Sequence, residues 1–162
     1  MARLPLLYPE ANIAVAVDTE RRFAFVAGFV FDNIRPLLGE SCLVRAYDTE
    51  TGNLRWEDRF RTADGSSCNA IGLVTDKRQV FAVGSKERRF GVVPLRNVSL
   101  VRAYDANSGR LLWHDEFGPP TPSYIASRIE AVAAEDGRVF AAGSAETATG
   151  NVDLILRTYD AK

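Results

Sequence analysis

The strongest constraint in this sequence is an internal repeat of about 57 residues. Residues 43–60 (LVRAYDTETGNLRWEDRF) recur as residues 100–117 (LVRAYDANSGRLLWHDEF), and a third copy starts at residue 154 as LILRTYDAK. A related segment precedes each copy: RRFAFVAG, RQVFAVG and GRVFAAG, ending at Gly28, Gly84 and Gly143. Because both segments recur together, the chain is predicted to be an array of one supersecondary unit.

Every local signal within a unit favours β-strands. Short runs rich in Val, Phe, Tyr and Leu alternate with turn residues, and no stretch keeps a helical apolar period for three turns. In the first unit these runs are residues 13–17, 23–27, 43–47 and 54–60. Each unit is therefore predicted to be a four-stranded antiparallel meander.

The last strand of the unit has two different faces, because side chains alternate along a strand. One face carries Leu54, Trp56, Asp58 and Phe60, and the other carries Arg55, Glu57 and Arg59. A charged face is typical of an outer edge strand, where it discourages pairing between sheets.

Four-stranded units that recur at this period are the blades of a β-propeller, so we predict an all-β fold in a single domain. The predicted parts are an N-terminal strand (1–10), blade one (11–65), blade two (66–122) and an incomplete blade three (123–162). The connections between the second and third strands differ between units, and we predict surface loops there, at residues 29–41, 85–98 and 144–153.

Two copies of one motif allow a more specific comparison. The motif residues are Ala46, Asp48, Gly52 and Trp56 in the first copy and Ala103, Asp105, Gly109 and Trp113 in the second. This spacing resembles the tryptophan-docking motif of the pyrroloquinoline quinone (PQQ)-type propeller repeats. The resemblance implies that each Trp packs on the backbone of the next blade and that the small Ala makes room for it. It does not imply the quinone cofactor.

The motif's Asp and Gly residues have a simpler role in the turn between the third and fourth strands. An Asp at this position accepts hydrogen bonds from backbone N–H groups two or three residues on, and Gly supplies a positive φ. We therefore predict that Asp48 and Asp105 cap turns and do not act as catalytic bases.

Charge and cysteine usage exclude several classes of protein. With 20 Lys and Arg against 21 Asp and Glu, the chain lacks the basic surface that nucleic acids or anionic membranes require. No apolar run is long enough for a membrane span, and the first residues do not form a signal-peptide core, so we expect a cytoplasmic chain. A piece excised from an exported precursor is the alternative. We expect Cys42 and Cys68 to be free thiols, with a disulfide as the alternative.

No catalytic constellation is evident in the sequence. His114 is the single histidine and has no partner at metal-ligand spacing, and phosphate-binding glycine motifs are absent. The charged segment 86–90 is predicted to be a solvated loop. The quinoprotein dehydrogenases that share this repeat have eight blades, a vicinal cysteine pair near the cofactor, and calcium with an Asp base, whereas Cys42 and Cys68 are far apart in sequence.

We therefore predict a non-catalytic binding or scaffolding module with no cofactor and no metal. The alternative is a fragment or relative of a PQQ-dependent alcohol or aldose dehydrogenase.

The strand count also predicts an assembly. Propellers have about four to eight blades, so we expect a homodimer that completes a six-bladed ring. Residues 3–8 weakly resemble residues 110–113 and are expected to supply the partner's missing fourth strand, although Pro5 costs one ladder hydrogen bond. The alternative is a piece of a longer propeller. We expect no nucleic acid or membrane partner, and a separate protein partner remains open.

Overall fold

The chain folds into antiparallel β-sheets, as the sequence predicts. The structure, a computed structural model, describes residues 10–32, 39–60, 68–90, 93–118, 124–147 and 149–161. Its strands form two sheets of four strands and one of three, and none of the sheets closes on itself. In this described part, no helix has the length and apolar character needed to cross a membrane.

Each sheet is a meander in which consecutive strands are hydrogen-bonded neighbours, and we name the sheets blades 1, 2 and 3. Blade 1 consists of β1 (Glu10–Asp18), β2 (Phe23–Asp32), β3 (Gly39–Asp48) and β4 (Leu54–Phe60). Blade 2 consists of β5 (Cys68–Asp76), β6 (Gln79–Phe90), β7 (Val93–Asp105) and β8 (Leu111–Phe117). Blade 3 consists of β9 (Tyr124–Glu135), β10 (Arg138–Thr147) and β11 (Val152–Asp160). Apart from Glu10, the N-terminal strand predicted at residues 1–10 lies outside the described residues.

The core lies between the blades. The face of blade 1 that contains Phe25 and Trp56 packs against the face of blade 2 that contains Val80 and Tyr104. The opposite face of blade 2 packs on blade 3 through two further clusters, which include Val83, Val101 and Phe81 from blade 2 and Ile129, Ala141 and Val139 from blade 3. The sheets are therefore stacked side by side, and each junction buries a separate apolar layer.

The glycine that recurs near the middle of each second strand has a steric cause in blades 2 and 3. A Cβ atom on Gly84 would lie 2.0 Å from the carbonyl oxygen of Asn69, and one on Gly143 would lie 1.9 Å from that of Arg128. In both blades the inner strand has a register shift next to the residue that pairs with this glycine. Only a residue without a side chain fits at this close approach of two strands.

The predicted surface loops between second and third strands are largely wrong. In blade 2 the pairing of β6 with β7 continues as far as Phe90 and Val93, so the segment 85–98 is mostly a hairpin. Lys86, predicted to be on a solvated loop, is buried in β6 and pairs with Glu116 of β8. The ladder extends because each added pair satisfies backbone N–H and C=O groups, whatever the polarity of the side chains.

The predicted faces of the fourth strand also need a correction. Ala46 pairs with Trp56 but Tyr47 pairs with Leu54, so Arg55 is an extra residue on β4. Such a bulge moves the following side chain to the other face of the sheet. Leu54 therefore lies on the opposite face from Trp56, and the same shift recurs at Leu111 in blade 2.

Cys42 and Cys68 form a disulfide, so the prediction of free thiols is wrong. The bond joins β3 of blade 1 to β5 of blade 2, and both residues are fully buried. At the next junction Ser99 Oγ donates a hydrogen bond to Ser127 Oγ over 3.1 Å. Ser99 occupies the repeat position of Cys42, since each directly precedes the Leu that starts the LVRAYD segment. Ser127 occupies the position of Cys68, since each lies two residues before the residue that pairs with the glycine of the second strand. One repeat position thus holds a disulfide at the first junction and a hydrogen bond at the second.

Reduction of this disulfide is expected to lower the free energy of unfolding by about 3–4 kcal/mol, because the bond closes a loop between residues 26 apart. Denaturant unfolding with and without reductant measures the difference. The control is Cys42→Ser/Cys68→Ser, which places at the first junction the serine pair of the second and should not respond to reductant. Two reactive thiols in the unreduced, denatured protein would contradict the disulfide.

Candidate functional site

The junction between blades 1 and 2 is built around the indole of Trp56. This residue projects from β4 and is only 9% exposed. Its ring lies between Phe25 of its own blade and Tyr104 of blade 2, with ring centroids 5.9 and 5.8 Å apart. Its Nε1 donates a 2.9 Å hydrogen bond to the carbonyl oxygen of Ala106, in the turn after β7. The indole therefore gains an apolar contact and a satisfied polar atom at the same place.

The turn under this indole requires glycine. Gly109 has a φ of +71°, and a Cβ atom there would stand 2.6 Å from the Trp56 ring. The ring thus lies directly against the backbone of blade 2. Gly52, the same position of blade 1, has a φ of +70° but no atom that a Cβ would meet within 4 Å.

The alanines of the motif lie beside the tryptophans on the neighbouring strand. Ala46 pairs with Trp56 and Ala103 with Trp113, and both alanines are fully buried. A larger side chain at either position would meet the core between the blades. The assignment of all eight residues to one family's docking motif stays a prediction.

Trp113 is less buried than Trp56. Its ring stacks on Tyr159 of blade 3 at 5.2 Å between centroids and contacts Phe81 at 6.0 Å. No described glycine of blade 3 lies against the Trp113 ring as Gly109 lies against the Trp56 ring.

Asp48 and Asp105 hold the turns that follow β3 and β7, and the Trp56 indole docks on the second of these turns. Asp48 Oδ1 accepts hydrogen bonds from the backbone N–H groups of Glu50 and Thr51, and Asp105 Oδ1 accepts the same pair from Asn107 and Ser108. The Thr51 N–H and the Arg55 guanidinium lower the pKa of Asp48 to about 2. A carboxylate held in this state stabilises a turn and is a poor proton acceptor at neutral pH.

A polar network that the sequence did not reveal spans each junction. Asp58 Oδ2 on β4 accepts 2.7 Å and 3.1 Å hydrogen bonds from the Tyr104 hydroxyl and the Arg102 guanidinium on β7. The Arg102 guanidinium also lies 3.8 Å from the centre of the Phe60 ring. The charge of Asp58 is thus paired where one blade meets the next.

The same network recurs one junction later. Asp115 Oδ2 accepts from the Tyr159 hydroxyl at 2.8 Å and from Arg157 at 2.9 Å, and Arg157 lies 3.8 Å from the centre of the Phe117 ring. The signal was present in the sequence, because Asp58 and Asp115, Tyr104 and Tyr159, and Arg102 and Arg157 each occupy one repeat position. It was missed because the partners lie on different repeats.

Burial raises the pKa of Tyr104 well above its usual range, and the Asp58 carboxylate raises it further. The pKa of Tyr159 is shifted in the same direction by burial and by its hydrogen bond to Asp115. Both phenols are therefore hydrogen-bond donors that stay protonated in the folded chain.

The other candidate chemical groups do not converge. His114 is exposed on β8, and no group of three or more His, Cys, Asp or Glu residues in the described ranges is placed to hold a metal ion. The disulfide joins residues 26 apart and is buried between two sheets, unlike the vicinal pair of the quinoprotein dehydrogenases. The described residues therefore do not fit the quinone and calcium of that family.

Comparison with known proteins supports the fold. No protein-family model and no curated protein matches this sequence. The quinohemoprotein alcohol dehydrogenase ADHIIG from Pseudomonas putida HK5 is similar in structure, with a TM-score of 0.58 and 15% identity over 91% of this chain. The BT0996 protein of an RGII complex and a glycoside hydrolase each give a TM-score of 0.50, at 13% and 12% identity over 90% and 91% of this chain.

This chain spans 24% of the dehydrogenase and 44% of each of the other two proteins. These similar structures include a dehydrogenase and a glycoside hydrolase that are both β-propeller folds. At these identities the likeness concerns the fold alone, and it confirms that the three sheets are propeller-type blades.

The contact between Trp56 and Gly109 can be measured by a double-mutant cycle. Trp56→Ala is expected to cost about 3–5 kcal/mol, and Trp113→Ala less because that ring is half-buried. Gly109→Ala should cost about 2–4 kcal/mol in the native background, from the positive φ and the clash with the ring. In the Trp56→Ala background only the φ penalty of about 1–2 kcal/mol remains. Equal costs in both backgrounds, from denaturant unfolding, would contradict the docking contact.

The tyrosine network predicts a loss of stability at high pH. Because the folded pKa of Tyr104 is raised, its contribution is complete below the unfolded pKa of about 10 and is lost as the pH rises beyond it. Unfolding measured from pH 8 to 11.5 should show a steeper decline for the native chain than for Tyr104→Phe. At pH 7 the same substitution should cost about 1 kcal/mol. Identical slopes above pH 10 would count against a buried, protonated phenol.

Proposed function

We propose that this chain is a non-catalytic binding or scaffolding module, built from tryptophan-docking repeats of the PQQ type, that works through the outward faces of its first and last blades. The observation that supports this is the distribution of strongly exposed large apolar side chains. Among the side chains whose burial the structure describes, they are Val15, Val17 and Leu54 on blade 1 and Val152, Leu154 and Leu156 on blade 3. Blade 2 has a neighbour on each side and has none at residues 68–86 and 97–118, where its side chains are described.

These side chains occupy positions that are covered wherever a neighbouring blade is present. Leu54 corresponds to Leu111, which packs in the junction between blades 1 and 2. Leu156 corresponds to Val101 and Val44, both fully buried. The two outward faces, which we call the blade 1 end face and the blade 3 end face, therefore have the chemistry of blade junctions.

An exposed apolar surface of this kind is typical of an interaction site in a soluble protein. Leu154 is 92% exposed and Val15 66%, whereas the matching positions inside the array are shielded from water. Covering both end faces is the physical reason for a partner.

The disulfide supports placing this chain in an oxidising compartment, because structural disulfides persist mainly in secreted and periplasmic proteins. This favours the exported alternative over the cytoplasmic one that the sequence led us to expect.

The catalytic alternative is tested by adding PQQ and Ca²⁺ to the chain and following absorbance and dye-linked oxidation of alcohols and aldoses. We expect no turnover above a protein-free blank. Turnover that depends on PQQ and on the folded chain would overturn the proposal.

The binding role is tested by carbene footprinting of the purified chain and of the chain in a cell extract of its source. We expect the apolar residues of both end faces to be protected in the extract, while exposed His114 on blade 2 stays labelled in both samples as the control. Full labelling of the end faces in the extract as well as in the purified sample would contradict a binding role for them.

A further inference from the structure

We propose that the blade 3 end face of one chain docks on the blade 1 end face of a second copy, and that two copies close a six-bladed ring. This inference rests on the proposed function, since it names the partner of the end faces. The two blade junctions inside the chain show what each end face can contact.

The blade 3 end face is a continuation of the face that blade 2 presents to blade 3. Leu156 occupies the position of Val101, and Ala142 occupies that of Val83, both of which pack against blade 3 in the second junction. Leu154, Leu156, Ala142 and Ala131 surround an open apolar depression on this face. This surface thus corresponds to the face that a blade presents to the next blade along the chain, which we call the donor face.

The blade 1 end face corresponds to the face that a blade presents to the preceding blade, which we call the acceptor face. Val15 occupies the position of Val132 and Leu73, which pack in the second and first junctions respectively. Leu54, on the same face, occupies the position of Leu111, which packs in the first junction.

The second and third strands of one half of a junction lie at the blade 3 end, and the strands of the other half lie at the blade 1 end of the same chain. A surface that complements another surface on the same molecule makes a head-to-tail contact, which closes into a ring if the rotation permits. Propellers have about four to eight blades. Two copies with three described sheets each give a ring within this range, and three copies would exceed it.

Position equivalence also selects the residues that should meet across the new junction. Val101 and Val132 pack in one cluster between blades 2 and 3. Leu156 and Val15 hold these two positions at the ends of the chain, so Leu156 of one copy is expected to contact Val15 of the other. The contact forms twice in a closed dimer.

The test is the mass of the 162-residue chain in solution, measured by sedimentation equilibrium and native mass spectrometry from about 0.5 to 50 µM. We expect a particle of twice 17.8 kDa. Val15→Glu and Leu156→Lys should each shift the particle to the monomer mass, by placing one charge in both junctions. The double variant Val15→Glu/Leu156→Lys should regain the dimer, because every junction then pairs Glu with Lys.

His114→Glu, on the surface of blade 2, is the matched control and should remain a dimer. Circular dichroism and tryptophan fluorescence show that each monomeric variant is still folded, since Trp56 and Trp113 both lie at internal junctions. A folded native monomer, open-ended polymers, or a double variant that stays monomeric would overturn the second-copy proposal.

The same footprinting shows whether a second copy or another protein covers the end faces. End faces that are labelled in the purified chain but protected in the extract mean that another protein covers them, so the binding role stands and the second copy is excluded. End faces labelled in both samples exclude both proposals. Protection in the purified chain at about 50 µM, lost on dilution, supports the second copy.

Discussion

The structure depends on the docking of one blade's side chains on the next blade's backbone, and Trp56 shows how this works. Its indole covers Gly109 and donates to Ala106, while Tyr104 closes the other side of the ring. A meander of three or four strands cannot bury two apolar faces by itself. Most of the stability of such a repeat therefore comes from its interfaces, as in other arrays whose units contact only their neighbours.

The two blade junctions share one polar network but differ in the cross-link between their strands. The Asp58 network with Tyr104 and Arg102 is repeated by Asp115 one blade later with nearly the same distances. The cross-link differs, because a disulfide at the first junction corresponds to Ser99 and Ser127 at the second. The network sets how the blades meet, whereas the disulfide mainly restricts the unfolded chain.

The repeat in the sequence was sufficient to predict the class of fold, since the period, the strand pattern and the turn residues all agree. It could not predict features that depend on register or on contacts between repeats. The extra residue at Arg55 moves Leu54 to the other face, and no alternation rule anticipates a bulge. Cys42 and Cys68 do not occupy the same position of the repeat. Each of them instead matches a serine one unit later, Ser99 or Ser127, and those two serines are in contact at the next junction. Lys86 looked solvated because its partner Glu116 lies 30 residues away.

The periodicity that stabilises the interior also determines the chemistry of the ends. Every blade carries a donor face and an acceptor face, so an array must expose one of each, as Leu154 and Val15 show. Burying a Leu or Val side chain contributes about 1.5–3 kcal/mol, and association costs about 4–15 kcal/mol in lost motion. In an open chain of copies, every new junction carries the full free-energy cost of lost translational and rotational motion. In a closed dimer the second junction forms within an existing complex, so two junctions share one association cost and the ring is favoured over the open chain.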